Sequence, residues 1–347
     1  EISECLVGSE MCIRDRDECI ADLVEKEKKN GLRAVTDGEF RRAFWHLDFL
    51  AALGGIRHVK AEHWSVHFEG HQPKAETIVI EDRIHFPKNH PFLEAYDRLK
   101  TIAGDYPIKY TIPSPSMLHL ICAVREANYK PTAFYEAHPE KLFEDLADTW
   151  VDAMLALYER GCRYLQFDDT SWGEFCSLEK RAAYAARGID VDWTARRYVE
   201  VLNRILEKKP ADMTVTMHIC RGNFRSTWFS SGGYEPVAEI LFAHAKVDGF
   251  FLEYDTDRAG GFEPLRFIKD QTVVLGLITS KFPELEKKEE VKARIEEASK
   301  YVPLEQLCLS PQCGFSSTEE GNIMTEDEEW AKVRLVREIA DEVWGDK

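Results

Sequence analysis

Seven near-continuous apolar runs alternate with helix-like segments along the 347 residues, and this rhythm constrains the fold more than any other feature. The runs are "LRAVTDGEF" from Leu32, "PIKYTIPSPS" from Pro107, "CRYLQFDD" from Cys162, "DMTVTMHIC" from Asp212, "VDGFFLEYD" from Val247, "QTVVLGLIT" from Gln271 and "LEQLCLSPQCG" from Leu304. Apolar runs without polar alternation suit parallel strands covered on both faces. The segments between them read as helices: 17–30 with Gly31 as a stop, 92–103, 139–160 between Pro139 and Gly161, 194–208, "YEPVAEILFAHA", "GFEPLRFIK", "LEKKEEVKARIEEASKYV" and a closing "DEEWAKVRLVREIADEVW". Seven such units predict a (β/α)8 TIM barrel whose first strand is missing or replaced. A doubly wound open sheet is the runner-up, but no glycine-rich phosphate loop follows any run. Residues 55–90 break the rhythm and predict an inserted β-hairpin or pair of hairpins.

The first sixteen residues, "EISECLVGSEMCIRDR", do not behave like the rest. They lack the parts of a signal peptide, and "MCIRDR" resembles the accidental translation of a sequencing-library adapter. We expect 1–16 to be a non-native segment that takes the place of the first strand, and 17–347 to be a single catalytic domain. A net charge of −17 argues against nucleic-acid binding. No apolar run approaches the ~18 residues of a membrane span. Nine cysteines without framework spacing suit reduced thiols and a cytoplasmic location.

In a barrel of this kind, chemistry gathers at the C-terminal strand ends. Here those ends carry Asp37 and Glu39, Ser114 and Ser116, Asp168 and Asp169, His218 and Cys220, Glu253 and Asp255, Thr279 to Lys281, and Cys313. His218 and Cys220, two apart on a strand, point to one face. Alone they read equally as a satisfied core histidine beside a buried cysteine. With Glu253 and Cys313 they form a His/Cys/Glu/Cys set suited to Zn2+, two thiolates disfavouring magnesium or calcium. Cys308 rivals Cys313 but lies inside its apolar run. A purely structural zinc is the non-enzymatic alternative, and such sites are closed by four protein ligands.

Together "VTDGEFRR", "YLQFDD", "HICRGN", "FLEYD" and "SPQCGF" resemble the catalytic barrel of cobalamin-independent methionine synthase, and more closely its shorter single-barrel relatives, over about 33 to 345. The resemblance implies that His218, Cys220, Glu253 and Cys313 hold zinc, which binds homocysteine sulfur. It implies that Glu39 and Asp168 contact the substrate amine, and that "TIPSPSM", with Ser114 and Ser116, lies near a methyltetrahydrofolate donor. Two positions depart from the family. Its serine-bearing loop on the first strand has no counterpart here, and its proton-donating histidine after the seventh strand aligns with Thr279. Lys281 or a water is the candidate substitute acid. The alternative activity is alkyl transfer to another thiol, as in epoxide:coenzyme M transferases, but two acids suit an ammonium and repel a sulfonate. Decarboxylation on the same barrel has no need of the cysteine pair.

Overall fold

The structure, a computed structural model, describes residues 10–61, 68 and 76–345, the side chains of 10–13 excepted. Six of the seven runs form one parallel sheet in chain order: β3 (Tyr110–Pro113), β4 (Tyr164–Asp169), β5 (Thr214–Ile219), β6 (Gly249–Glu253), β7 (Thr272–Ile278) and β8 (Leu307–Pro311). The expected insertion is an antiparallel hairpin of β1 (Gly54–Lys60) and β2 (Glu76–His85). It bulges at Gly55, whose φ of 81° and 2.5 Å clearance to the Arg83 carbonyl exclude a side chain.

The seventh run departs from expectation. "LRAVTDGEF" contributes a single parallel bridge, Val35 to Ile108, with Val35 N–H donating to Pro107 O at 2.8 Å and Lys109 N–H donating to Val35 O at 2.9 Å. The strand stops there for two local reasons. Thr36 gives both its N–H and its hydroxyl to the Glu27 carboxylate, at 3.0 and 2.8 Å. Gly38 and Glu39 then take φ of 57° and 59°, which turns the chain away. Among the described residues no pairing joins Val35 to β8, so the sheet is an open arc rather than the closed eight-stranded barrel. Across the opening, helix Glu10–Lys29 faces helix Glu326–Trp344, with Lys26 2.5 Å from Glu326.

The helices obey the sequence signals. Glu10–Lys29 ends at Gly31, φ 79°, where Leu32 N–H reaches back to Glu27 O at 3.1 Å. Pro139–Glu159 opens on its proline and is followed by Gly161, φ 105°. "GFEPLRFIK" is the exception, closing only a 3-10 turn over Glu263–Phe267. No helix among the described residues is long and apolar enough to cross a membrane.

Register decides which side chains face inward. Leu165, Phe167, Val215, Met217, Phe250, Leu252, Val273 and Leu275 share one parity and are buried in the core cluster with the helices. The other parity holds Gln166 and Asp168, level with Thr216 and His218 on β5, and Glu253 level with Gly276 on β7. On β4 and β5 the inward face is thus polar, whereas β6 and β7 also place Phe251, Val274 and Ile278 there. Backbone bonds continue this order beyond the strand ends: Cys220 N–H to Asp169 O at 2.8 Å, and Gln312 N–H to Ile278 O at 2.7 Å.

Gly276 is a point of close packing between the strand ends. A Cβ there would lie 2.8 Å from Gln312 Cα and 2.9 Å from Leu252 O. Gly276→Ala therefore forces β6 and the β8 loop apart, and is expected to cost about 1–3 kcal/mol in urea unfolding. An unchanged midpoint would show that the strands accommodate the methyl group.

Candidate metal centre

The period of two along β5 carries His218 inward, and Cys220 follows on the same face just past the strand end. Glu253 is the last residue of β6 and is fully buried. Cys313 stands two residues beyond β8, on the loop whose Gln312 is tied to β7. One ligand atom from each of the four lies within 4.8 Å of the others. The two Sγ atoms are 3.8 Å apart, the edge of a tetrahedron built on bonds of about 2.3 Å. His218 Nε2 and Glu253 Oε1 are 3.7 Å apart, too far for a hydrogen bond. His218 Nε2 and Glu253 Oε2 are buried without hydrogen-bond partners. Buried polar atoms left unpaired are costly, and here they converge on one point beside two thiols. The donor set therefore fits a zinc-sized cation.

Surrounding groups hold these four in place. Asp168 Oδ1 sits 3.4 Å from His218 Nδ1 and accepts from Gln166 Nε2 at 2.7 Å, which aims the imidazole's other nitrogen at the cluster. Arg221 N–H donates to Glu253 Oε1 at 3.1 Å, and Arg258 stands 3.7 Å from Glu253 Oε2. Gly222 N–H points to Cys220 Sγ at 3.3 Å. Burial alone would push the His218 imidazole down, but the facing Asp168 and Glu253 carboxylates raise it to about 10. Burial would likewise push Glu253 up, yet His218, Lys281 and Arg258 hold it at about 2. The Cys313 thiol, together with burial, drives Cys220 well above the usual thiol range. Without metal the cluster thus carries protons on His218 and Cys220 and its negative charge on Glu253.

Two cavities meet at this cluster. The larger, of about 820 Å3, is lined by Asp37, Glu39, Asp168, His218, Cys220 and Cys313, and extends to the helices that face across the open side of the sheet. Glu39 Oε1 accepts from Arg42 and from Thr111 Oγ1, both at 2.8 Å. Burial, opposed by Arg42 and aided by Asp168, raises Glu39 to about 7. Glu39 and Asp168 therefore share one cavity, as the substrate-amine reading requires. The smaller cavity, of about 100 Å3, has aromatic walls and shares Trp45, Cys220 and Ser317 with the larger one.

Other expected site residues lie elsewhere. Ser114 and Ser116 are buried, line neither cavity, and both donate to Asp169 Oδ2, Ser114 at 2.5 Å. Their hydroxyls thus fix the carboxylate of the residue whose carbonyl holds Cys220. The Thr279 hydroxyl donates to Asp255 Oδ2 at 2.8 Å. Lys281 is fully buried, and its Nζ donates to Gly222 O, Asn223 Oδ1 and Thr227 O at 3.1, 3.2 and 3.0 Å. It clamps the loop after β5 and has no spare proton directed at the cluster. Sequence reasoning passed over Arg221, Arg258 and Tyr234, whose hydroxyl accepts the Glu253 N–H at 2.9 Å. Only the adjacency of Arg221 to His218-x-Cys220 could have signalled one of them. The aromatic cavity was also missed, since its walls come from segments far apart in the chain.

Known proteins share this sequence and fold. Residues 7–342 match the family model described as the cobalamin-independent synthase, catalytic domain. Two proteins of Bacillus subtilis (strain 168), YxjG and YxjH, are 50% and 48% identical to this chain, covering 95% and 94% of it and 85% and 84% of their own lengths. The crystal structure of a putative vitamin-B12 independent methionine synthase from Listeria monocytogenes superposes with a TM-score of 0.75 at 40% identity, covering 98% of this chain and 90% of that one. A B12-independent methionine synthase from Shewanella sp. W3-18-1, solved with selenomethionine, shares the fold at a TM-score of 0.72 and 20% identity, over 97% and 89% of the two chains. The chain belongs to the cobalamin-independent methionine synthase catalytic-domain family.

Proposed function

We propose that this protein is a zinc-dependent thiol methyltransferase that methylates homocysteine to methionine, on a (β/α)8-type sheet open at its first-strand position. One observation carries the reading: His218, Cys220, Glu253 and Cys313 converge, and three of them, His218, Cys220 and Cys313, line a cavity that also presents Glu39 and Asp168. Unpaired cysteines at all the described positions suit a cytoplasmic enzyme.

A zinc ion held by these four residues would supply a Lewis acid that keeps a substrate thiol, with a free pKa near 8.5, ionised at neutral pH. The protein's own groups do the rest. Asp168 orients His218 while its carboxylate, with that of Glu39, faces the cavity as counter-charge for an amino-acid ammonium. Arg221 N–H and Arg258 steady Glu253, the hardest of the four ligands and so the one suited to yield its place to a thiol. Alkylation of a sulfonate-bearing thiol such as coenzyme M is disfavoured, because the same two acids would repel the sulfonate.

Purified protein is expected to hold one zinc per chain by elemental analysis, and Cys220→Ser or Cys313→Ser to lower the affinity at least about tenfold. Full zinc content in both variants would defeat the assignment. Binding must displace the proton of the Cys220 thiol and that of an imidazole charged up to about pH 10. Zinc affinity should therefore fall steeply as pH drops from 8 to 6, as read by competition with a chromogenic chelator. Glu39→Gln should raise KM for homocysteine about tenfold with zinc content unchanged, whereas Asp168→Asn should weaken zinc binding as well, by about 10–100-fold. Equal behaviour of the two variants would remove the distinction drawn between them.

A further inference from the structure

Glu253 is the ligand suited to yield its place, yet its surroundings make leaving costly. Its side chain is 0% exposed, and a buried carboxylate without a counter-charge is strongly destabilising. The backbone cannot follow it out. The Tyr234 hydroxyl accepts the Glu253 N–H at 2.9 Å and donates to the Glu253 carbonyl at 3.2 Å. A displaced carboxylate therefore needs a cation within reach of a side-chain rotation. Its two oxygens have different neighbours. Oε1 lies 3.7 Å from His218 Nε2 and accepts the Arg221 N–H at 3.1 Å. Oε2 is buried without a hydrogen-bond partner and lies 3.7 Å from Arg258 Nη2.

The other cations near Glu253 are engaged. Lys281 gives its Nζ to three oxygens, and the Arg221 guanidinium is turned onto the Tyr234 ring, 4.4 Å from its centroid. Arg258 differs. Its Nη1 donates to Thr256 Oγ1 at 3.0 Å and its Nη2 to Asp255 Oδ1 at 2.7 Å. Each of these nitrogens carries a second N–H, and Nε is buried without a hydrogen-bond partner. The side chain, 8% exposed, lies over Trp228 at 4.8 Å, and the Gly232 N–H holds the Arg258 carbonyl at 2.8 Å. Asp255 in turn accepts the Thr279 hydroxyl at 2.8 Å. Thr279, Asp255 and Arg258 thus form a chain that fixes a spare N–H donor beside Glu253. Closing the 3.7 Å gap to the length of a charge-assisted hydrogen bond takes a movement of about 1 Å.

We propose that Arg258 is a positioning residue that receives the Glu253 carboxylate when a substrate thiol takes its place at the metal centre, with Asp255 and Thr279 setting how strongly it pulls. The proposal rests on the thiol-methyltransferase reading. In the exchange the thiol gives its proton to solvent and binds as the thiolate, so one anionic ligand replaces another. The Glu253 carboxylate moves, still ionised, onto the Arg258 guanidinium. Arg258 therefore favours the thiol-bound state over the thiol-free one, and a group with that preference moves the two affinities in opposite directions when it is removed. Asp255 shares Arg258 with Glu253 and acts the other way.

Cobalt(II) in place of zinc makes the exchange visible without turnover, because an added thiolate strengthens the sulfur-to-cobalt absorption in the near ultraviolet. Homocysteine titrated into the cobalt-loaded wild-type protein should raise that absorption. Arg258→Met, checked for folding by circular dichroism, should weaken homocysteine binding about tenfold, the worth of one charge-assisted hydrogen bond. Its thiol-free affinity for zinc, read with a chromogenic chelator, should be unchanged or higher. Arg258→Lys should recover most of the homocysteine affinity. Asp255→Asn should tighten homocysteine about threefold and weaken zinc, at the low end of coupling between neighbouring charges. A parallel fall of both affinities in Arg258→Met would mark a merely structural residue and overturn the proposal, as would an unchanged homocysteine affinity. If Arg258→Met does not fold, Asp255→Asn decides: a homocysteine affinity that stays or falls overturns it. Absence of the added absorption in the wild-type protein would sink the thiol-methyltransferase reading, and the exchange with it.

Discussion

The molecule's chemistry depends on parallel register. Side chains alternate along each strand, so a shift of one residue between neighbours would turn a whole set of polar groups into the helical layer. Here Asp168 lies level with His218, and Glu253 level with Gly276, whose missing side chain leaves room for the Gln312 backbone. Because the strands are held level, a histidine, a cysteine and a glutamate from two strands meet a cysteine from a third. The bonds that continue past the strand ends, Cys220 to Asp169 and Gln312 to Ile278, extend the same control to loop residues.

Charge balance is the second constraint on the mouth. Glu253, fully buried, keeps its negative charge because Arg221 N–H, Arg258 and the nearby Lys281 offset the cost of burial. Arg258 also pairs with Asp255 at 2.7 Å, and Asp255 takes the Thr279 hydroxyl. Thr279 thus belongs to the electrostatic support of Glu253. Lys281, by bonding three oxygens of the loop after β5, fixes the segment whose Gly222 N–H points at Cys220 Sγ. Thr279, which stands where the resemblance has a histidine, and Lys281, the candidate substitute acid, are both committed to building the site.

How much was legible follows from range. His218, Cys220, Glu253 and Cys313 could be read because each stands at the end of an apolar run, and run ends in a parallel sheet share one rim. The hairpin was legible as a break in rhythm. The end of "LRAVTDGEF" was not, because what stops that strand is Glu27, a helix residue whose carboxylate takes the Thr36 N–H and hydroxyl. Ser114 and Ser116 looked like site residues from their place beside β3. The helix begun at Pro115 turns them onto Asp169, a contact between residues more than fifty positions apart. Sequence shows which residues reach the rim, but not which way short polar side chains turn once there.

The two cavities at Cys220 are built by different parts of the chain. The larger is framed by strand ends and the Asp37–Glu39 turn, all fixed by sheet geometry. The smaller draws Phe44 and Trp45 from the loop before β1, Glu76 and Thr77 from β2, and Phe224 and Phe229 from the loop clamped by Lys281. Its shape is therefore set by connections, which vary more freely than strands. A family that keeps the sheet and the proposed metal ligands can change this wall by changing a hairpin and one loop.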